Sequence, residues 1–123
     1  IERGETTVKN TTISEATSAT MRKLLEDVVK NGGGRNAYLE GYRVGGKTGT
    51  ADKLDENGNY TDVTRASFVG LAPIDDPRLV VAVMVDEPAW EYRTGGQAAA
   101  PVFAEIMQQA LHRLGVTPDG LEE

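Results

Sequence analysis

Lys47-Thr48-Gly49-Thr50 gathers one cation, two hydroxyls and a glycine in four positions, behind Gly45-Gly46 and a short Tyr42-Arg43-Val44 run. On an extended chain successive side chains alternate, so Lys47 and Gly49 share one face and Thr48 and Thr50 the other. Gly49 has no side chain, which lets a second backbone lie close against it. An ammonium and two hydroxyls set on such a strand suit an anion. Taken without its neighbours, Lys47 is an ordinary solvated lysine in a turn. The flanking blocks decide which reading applies.

One reading is a phosphate-binding loop, because Gly41 to Thr48 satisfies the spacing G-x-x-x-x-G-K-S/T. Leu79 to Val85 followed by Asp86-Glu87 also resembles the apolar strand and acid of a nucleotide hydrolase. A phosphate loop, however, needs a helix N-terminus directly after it, where backbone amides hold the anion. Here Gly49-Thr50-Ala51-Asp52 follows, then a polar turn region, and no apolar helical repeat appears until after residue 96. The short Pro-bounded link at Pro73–Pro77 favours a hairpin over the long crossover that parallel strands require.

The other reading uses the whole order of blocks. Gly41-Tyr42-Arg43-Val44-Gly45-Gly46-Lys47-Thr48-Gly49-Thr50-Ala51 is followed by Ser67-Phe68-Val69-Gly70-Leu71-Ala72-Pro73. Val85-Asp86-Glu87-Pro88 comes next, then Gly95-Gly96 with Ala100-Pro101-Val102-Phe103. In that order and spacing the chain resembles the transpeptidase domain of class B penicillin-binding proteins, and most of all the cell-division members. The resemblance implies an enzyme that cross-links peptidoglycan through an acyl-serine intermediate. It implies that Lys47 supplies positive potential beside the reacting groups and that the Thr48 and Thr50 hydroxyls receive the substrate's terminal carboxylate. It implies that the Thr50 N–H donates to the oxyanion, and that Gly49 admits the substrate as an added antiparallel strand. Tyr92, with Trp90, falls where the family's loop approaches substrate. The family usually places an aromatic nearer the Gly-Gly pair; here Arg93-Thr94 intervene. No metal or organic cofactor is implied. The implied partners are D-Ala-D-Ala stem peptides, β-lactam antibiotics and division proteins, and the implied location is the outer face of the bacterial cytoplasmic membrane.

The family also needs S-x-x-K, which carries the nucleophile, and S-x-N. The serines are Ser14, Ser18 and Ser67, and none stands in either motif. The expectation is therefore that residues 1–123 form the C-terminal part of a single transpeptidase domain. The nucleophile and an anchoring segment would lie upstream, and this chain alone would be inactive. A β-lactam sensor, a catalytically dead penicillin-binding module and a β-lactamase are rival readings. Upstream signalling segments would mark the sensor, and rapid cephalosporin turnover would mark the β-lactamase.

The elements that must position these residues follow from periodicity. Ser14 or Thr12 can cap a helix in which Met21, Leu24, Leu25, Val28 and Val29 repeat at helical spacing, stopped by Asn31-Gly32-Gly33-Gly34. Residues 5–12 read as a strand or extended lead-in. Tyr38–Ala51 reads as the first strand, Asp52–Thr64 as a polar excursion turning at Asn57-Gly58-Asn59, and Ala66–Ala72 with Leu79–Val85 as an antiparallel hairpin. Glu87–Gly96 reads as a loop. Pro101 opens a last helix whose apolar stripe is Val102, Phe103, Ile106, Met107, Ala110, Leu111 and Leu114, ended by Gly115. The predicted fold is α+β: a mainly antiparallel sheet with helices packed on it.

Composition narrows the classes further. Of 123 residues 39% are apolar and 26% charged, which suits a chain with a real core. Thirteen basic against nineteen acidic residues give a net charge of -6, which argues against nucleic acid as a partner. The absence of cysteine excludes disulfides, thiolate chemistry and a zinc ribbon. His112 is the sole histidine, so no metal cluster centres on it. Asp86 and Glu87 read as solvated acids at a strand end. Asp55-Glu56-Asn57-Gly58 hints at a calcium loop, but Lys53 and Thr64 occupy its end ligand positions.

Overall fold

The computed structural model describes residues 6–120. Helix α1 spans Glu15–Asn31. Ser14 caps it by accepting the Thr17 N–H at 3.1 Å, which satisfies one orphan donor of the first turn. Glu15 in the first turn and Lys30 in the last complement the helix dipole. At the other end the Gly32 and Gly34 amides both bond the Val28 carbonyl at 3.1 Å. The chain then makes a 3-10 turn at Arg35–Ala37.

Three strands follow: β1 at Gly45–Leu54, β2 at Tyr60–Ala72 and β3 at Leu79–Asp86. They form an antiparallel meander in the order β1-β2-β3, with Lys47 opposite Val69, Gly49 opposite Ser67 and Thr50 opposite Ala66. Asp55 shapes the β1–β2 turn by accepting the Asn57 and Asn59 amides at 2.9 Å, and Gly58 takes a positive φ of 80°. After a 3-10 turn at Trp90–Tyr92 come the short helix α2 at Gly95–Ala98 and helix α3 at Ala100–Arg113. Pro101 sits in the first turn of α3, and Gly115 leaves it at φ 64°.

The core lies between α3 and one face of the sheet. Phe68 of β2 and Phe103 of α3 are fully buried, with ring centroids 4.7 Å apart and planes tilted by 55°, a favourable geometry for aromatic quadrupoles. Met107, Leu111, Val29 and Val44 belong to the same cluster. The α+β architecture expected from the sequence is the one observed.

Several boundaries differ from expectation. The first strand begins at Gly45 rather than Tyr38, because residues 38–44 place their hydrogen bonds elsewhere: Leu39 bridges to Tyr42, Arg43 N–H donates to Asp119, and Gly120 N–H donates to Gly41. Strands β1 and β2 continue well into the polar excursion, since cross-strand bonds and the Lys53 ion pairs outweigh its composition. Gly95-Gly96 belong to α2 rather than to a loop. The α3 stripe buries Phe103, Met107 and Leu111 but leaves Val102, Ile106 and Leu114 exposed. Residues 6–12 form no regular element, and Glu5 lies outside the described residues. Among the described residues no helix is long and apolar enough to cross a membrane.

Candidate active site

The sequence around Lys47 folds as the outer strand of the sheet. Strand β1 pairs with β2 on one side, and among the described residues nothing pairs with its other side. Lys47 therefore sits within an antiparallel strand, followed by more strand to Leu54. No helix N-terminus follows it, which removes the phosphate-loop reading.

Lys47 starts on the face opposite Thr48, yet its ammonium folds over the free edge. It donates to the Thr48 carbonyl at 3.1 Å and reaches the Thr48 Oγ1 at 3.5 Å. Among the described residues it pairs with no carboxylate within ion-pair distance. In an antiparallel strand each residue points its N–H and C=O to the same side, and the side alternates along the chain. Thr48 offers its carbonyl to Lys47 at the free edge, so Thr50 turns its N–H the same way. Cation, amide and hydroxyl thus converge on one unpaired margin.

The two threonines face the helical side. Thr48 lies beside Gly33 and Gly96, and Thr50 Oγ1 accepts the Gly95 N–H at 3.1 Å. In both, the hydroxyl oxygen meets a donor while the hydroxyl hydrogen stays free to donate. Two hydroxyls arranged in this way suit an acceptor-only group such as a carboxylate. Gly49 is tight on the opposite face: a Cβ there would stand 2.5 Å from Ser67 Oγ.

The Gly95-Gly96 segment is fitted tightly to this strand. A Cβ on Gly95 would lie 2.6 Å from the Gly49 carbonyl oxygen, so a larger residue would push α2 away from the sheet. Asn36 Nδ2 donates to the Gly96 carbonyl at 2.7 Å, tying the Gly33 turn to the same place. Neither contact was legible in the sequence, since the partners lie 45 and 60 residues apart.

Trp90, Tyr92 and Arg93 occupy the loop beyond Thr50. Arg93 stacks over Trp90 with its guanidinium carbon 4.4 Å from the ring centroid and approaches Asp52 at 3.4 Å. Thr64 Oγ1 donates to the Arg93 carbonyl at 2.7 Å. Lys53 pairs with Asp86 and Glu87 at the loop's start, and these acids draw its pKa upward, the Glu87 hydrogen bond most of all. Asp86 and Glu87 thus have structural partners at the end of β3. Tyr92 is exposed. Among the described residues no three His, Asp or Glu side chains converge as a metal site would require.

The chain matches the family model described as the penicillin-binding protein transpeptidase domain over residues 2–108. It is 52% identical over 111 residues to stage V sporulation protein D of Bacillus subtilis, covering 89% of this chain and 17% of that protein. It is 36% identical over 125 residues to the peptidoglycan D,D-transpeptidase FtsI of Buchnera aphidicola, covering 97% of this chain and 22% of that protein. Among solved structures, the transpeptidase domain of Burkholderia pseudomallei penicillin-binding protein 3 superposes with a TM-score of 0.77 at 47% identity, over 86% of this chain and 32% of that one. Penicillin-binding protein 3 of Mycobacterium tuberculosis in complex with ampicillin gives a TM-score of 0.77 at 34% identity, over 89% of this chain and 26% of that one. In each comparison this chain spans less than a third of the relative's length. With the family model matched over most of its residues, the chain belongs to the penicillin-binding protein transpeptidase domain family.

Proposed function

We propose that this chain supplies the Lys-Thr-Gly strand of a D,D-transpeptidase that cross-links peptidoglycan stem peptides through an acyl-serine. The observation that carries the reading is the unpaired edge of β1, where Lys47, Thr48 and the outward amide of Thr50 converge. A D-Ala-D-Ala terminus lies antiparallel along this edge as an added strand. The Thr48 and Thr50 hydroxyls donate to its carboxylate, and Lys47 supplies the compensating charge. Tyr92 is proposed as a contact at the substrate's entrance.

A serine outside residues 1–123 attacks the carbonyl carbon of the penultimate D-alanine. An ester C–O bond forms, the C–N bond to the last D-alanine breaks, and the serine's proton ends on the departing amine. The Thr50 N–H donates to the carbonyl oxygen as negative charge builds there, a contribution of about 10²–10³ in rate for one such donor. An amine of a neighbouring stem peptide then attacks the ester, forms the amide cross-link and returns a proton to the serine. A β-lactam carboxylate takes the place of the peptide carboxylate, and its ring carbonyl takes the serine.

Ser14, Ser18 and Ser67 stand in no S-x-x-K motif, so the chain alone is proposed to be inactive. The parent protein is placed at the outer face of the bacterial cytoplasmic membrane, with division proteins as partners. The test is the full-length protein supplied with a D-Ala-D-Ala peptide and an amine acceptor. The proposal predicts D-alanine release matched one to one by cross-linked product. Release without product, or rapid cephalosporin hydrolysis in its place, would refute it.

A further inference from the structure

Two positions before β1, Arg43 ties its own segment to three other parts of the chain. Its Nε and one terminal nitrogen grip the two Glu26 oxygens of α1, each at 2.8 Å. Its other terminal nitrogen pairs with Asp75 in the β2–β3 turn. Its backbone N–H donates to Asp119 of the C-terminal tail at 2.8 Å. Glu26 is nearly buried, with 8% of its side chain exposed, and also takes Lys30 at 2.8 Å. Among the described residues, the charged groups of this cluster around Glu26 are Arg43, Lys30 and, through Arg43, Asp75 and Asp119.

The contact of α1 with the base of β1 is close at the same place. A Cβ on Gly45 would stand 2.8 Å from Ile74 Cδ1 and 3.1 Å from the Glu26 backbone nitrogen. Arg22 Nε donates to the Ile74 carbonyl at 2.7 Å and so ties α1 to the same turn. The helix backbone therefore rests on Gly45, and the two-pronged Arg43–Glu26 pair fixes its rotation and height there. A planar fork constrains direction as well as distance, which a point charge does not.

We propose that Arg43 is a positioning residue for the Lys47 strand: its fork to Glu26 sets where the free edge of β1 lies relative to the rest of the domain. The proposal rests on the transpeptidase reading for its kinetic consequence, though its structural consequence is independent of that reading. Lys47 is four residues from Arg43, so a tilt at the base of β1 is carried along a rigid strand to the edge. Displacements of about 1 Å cost on the order of 10²-fold in rate when reacting groups are misaligned.

The test uses the full-length protein with Arg43→Lys and Arg43→Met. A merely structural role reduces the fraction of molecules that take a fluorescent penicillin, while the rate per competent molecule stays unchanged. Positioning does the reverse. Arg43→Lys is expected to label to the same final stoichiometry as wild type but about 10-fold more slowly, with Arg43→Met slower again. Hydrogen exchange at residues 45–49 should quicken in Arg43→Lys while exchange in α3 is unchanged. A labelling rate per competent molecule within about twofold of wild type, or unaltered exchange at 45–49, would overturn the proposal. If wild type takes no label, the transpeptidase reading fails, and the exchange measurement still decides the role of Arg43.

Discussion

The hydroxyl of Thr50 has one observed task and one proposed task, and they fall on different atoms. Its oxygen accepts the Gly95 N–H and so holds α2 against the sheet, while its hydrogen is free for a carboxylate. Serine preserves both tasks and valine removes both. In the full-length protein Thr50→Ser is expected to keep the penicillin acylation rate within about threefold, and Thr50→Val to lose about 10- to 100-fold. Equal rates for valine and wild type would remove the hydroxyl from the account. The backbone amide of Thr50 survives both substitutions, so any residual rate in Thr50→Val measures what that amide, the Thr48 hydroxyl and Lys47 supply without the Thr50 hydroxyl. At this scale Lys47, Thr48, Gly49 and Thr50 could be singled out as candidates from the sequence only because the flanking blocks stand in order around them; the four residues alone also suit an ordinary turn. The Gly95 N–H that Thr50 accepts was not readable, because it comes from another element.

Between elements, the Glu26–Arg43 pair links α1 to β1. The Arg43 hydrogen bonds hold the Glu26 carboxyl down near 2, against the opposing effect of burial, with Lys30 helping. Its ordinary value is 4.5, so the folded state binds the proton less readily than the unfolded chain. The pair's contribution is complete above the unfolded value and drains away as pH falls from about 4.5 towards 2. A depression of that size corresponds to about 3 kcal/mol. Denaturant unfolding of the transpeptidase domain should therefore show wild type losing about 3 kcal/mol more than Glu26→Gln between pH 6 and pH 2. Parallel pH profiles for the two proteins would contradict the pairing. This ion pair escaped sequence analysis because Glu26 stands on a helix with several acids and bases, and nothing local marks it as the buried one. The same blindness explains Tyr38–Val44. Their apolar residues suggested strand, but Tyr42 OH donates to the Val116 carbonyl and Arg43 N–H to Asp119. The C-terminal tail thus takes the Arg43 N–H and, through the Gly120 N–H, the Gly41 carbonyl, backbone groups that a sheet neighbour would have bonded. Helix α1, the β2–β3 hairpin and α3 were legible because periodicity and caps are local signals.

The molecule as a whole presents the free edge of β1, to which the proposed chemistry is assigned, and a core that holds it still. Phe68, placed directly opposite Thr48 in the register, packs on Phe103, so the same strand pair links the site to the hydrophobic centre. The family assignment covers nearly the whole chain, while the chain covers less than a third of each relative described above. The central claim is that Lys47 works on a bond broken by a serine from outside these residues. Its most direct test is intact-mass spectrometry of the full-length protein after exposure to benzylpenicillin, with peptide mapping of the adduct, for wild type and Lys47→Ala. The account predicts one penicilloyl group on a serine outside residues 1–123, forming at least about 100-fold more slowly in Lys47→Ala. An adduct on Ser14, Ser18 or Ser67, or an unchanged rate in Lys47→Ala, would contradict it.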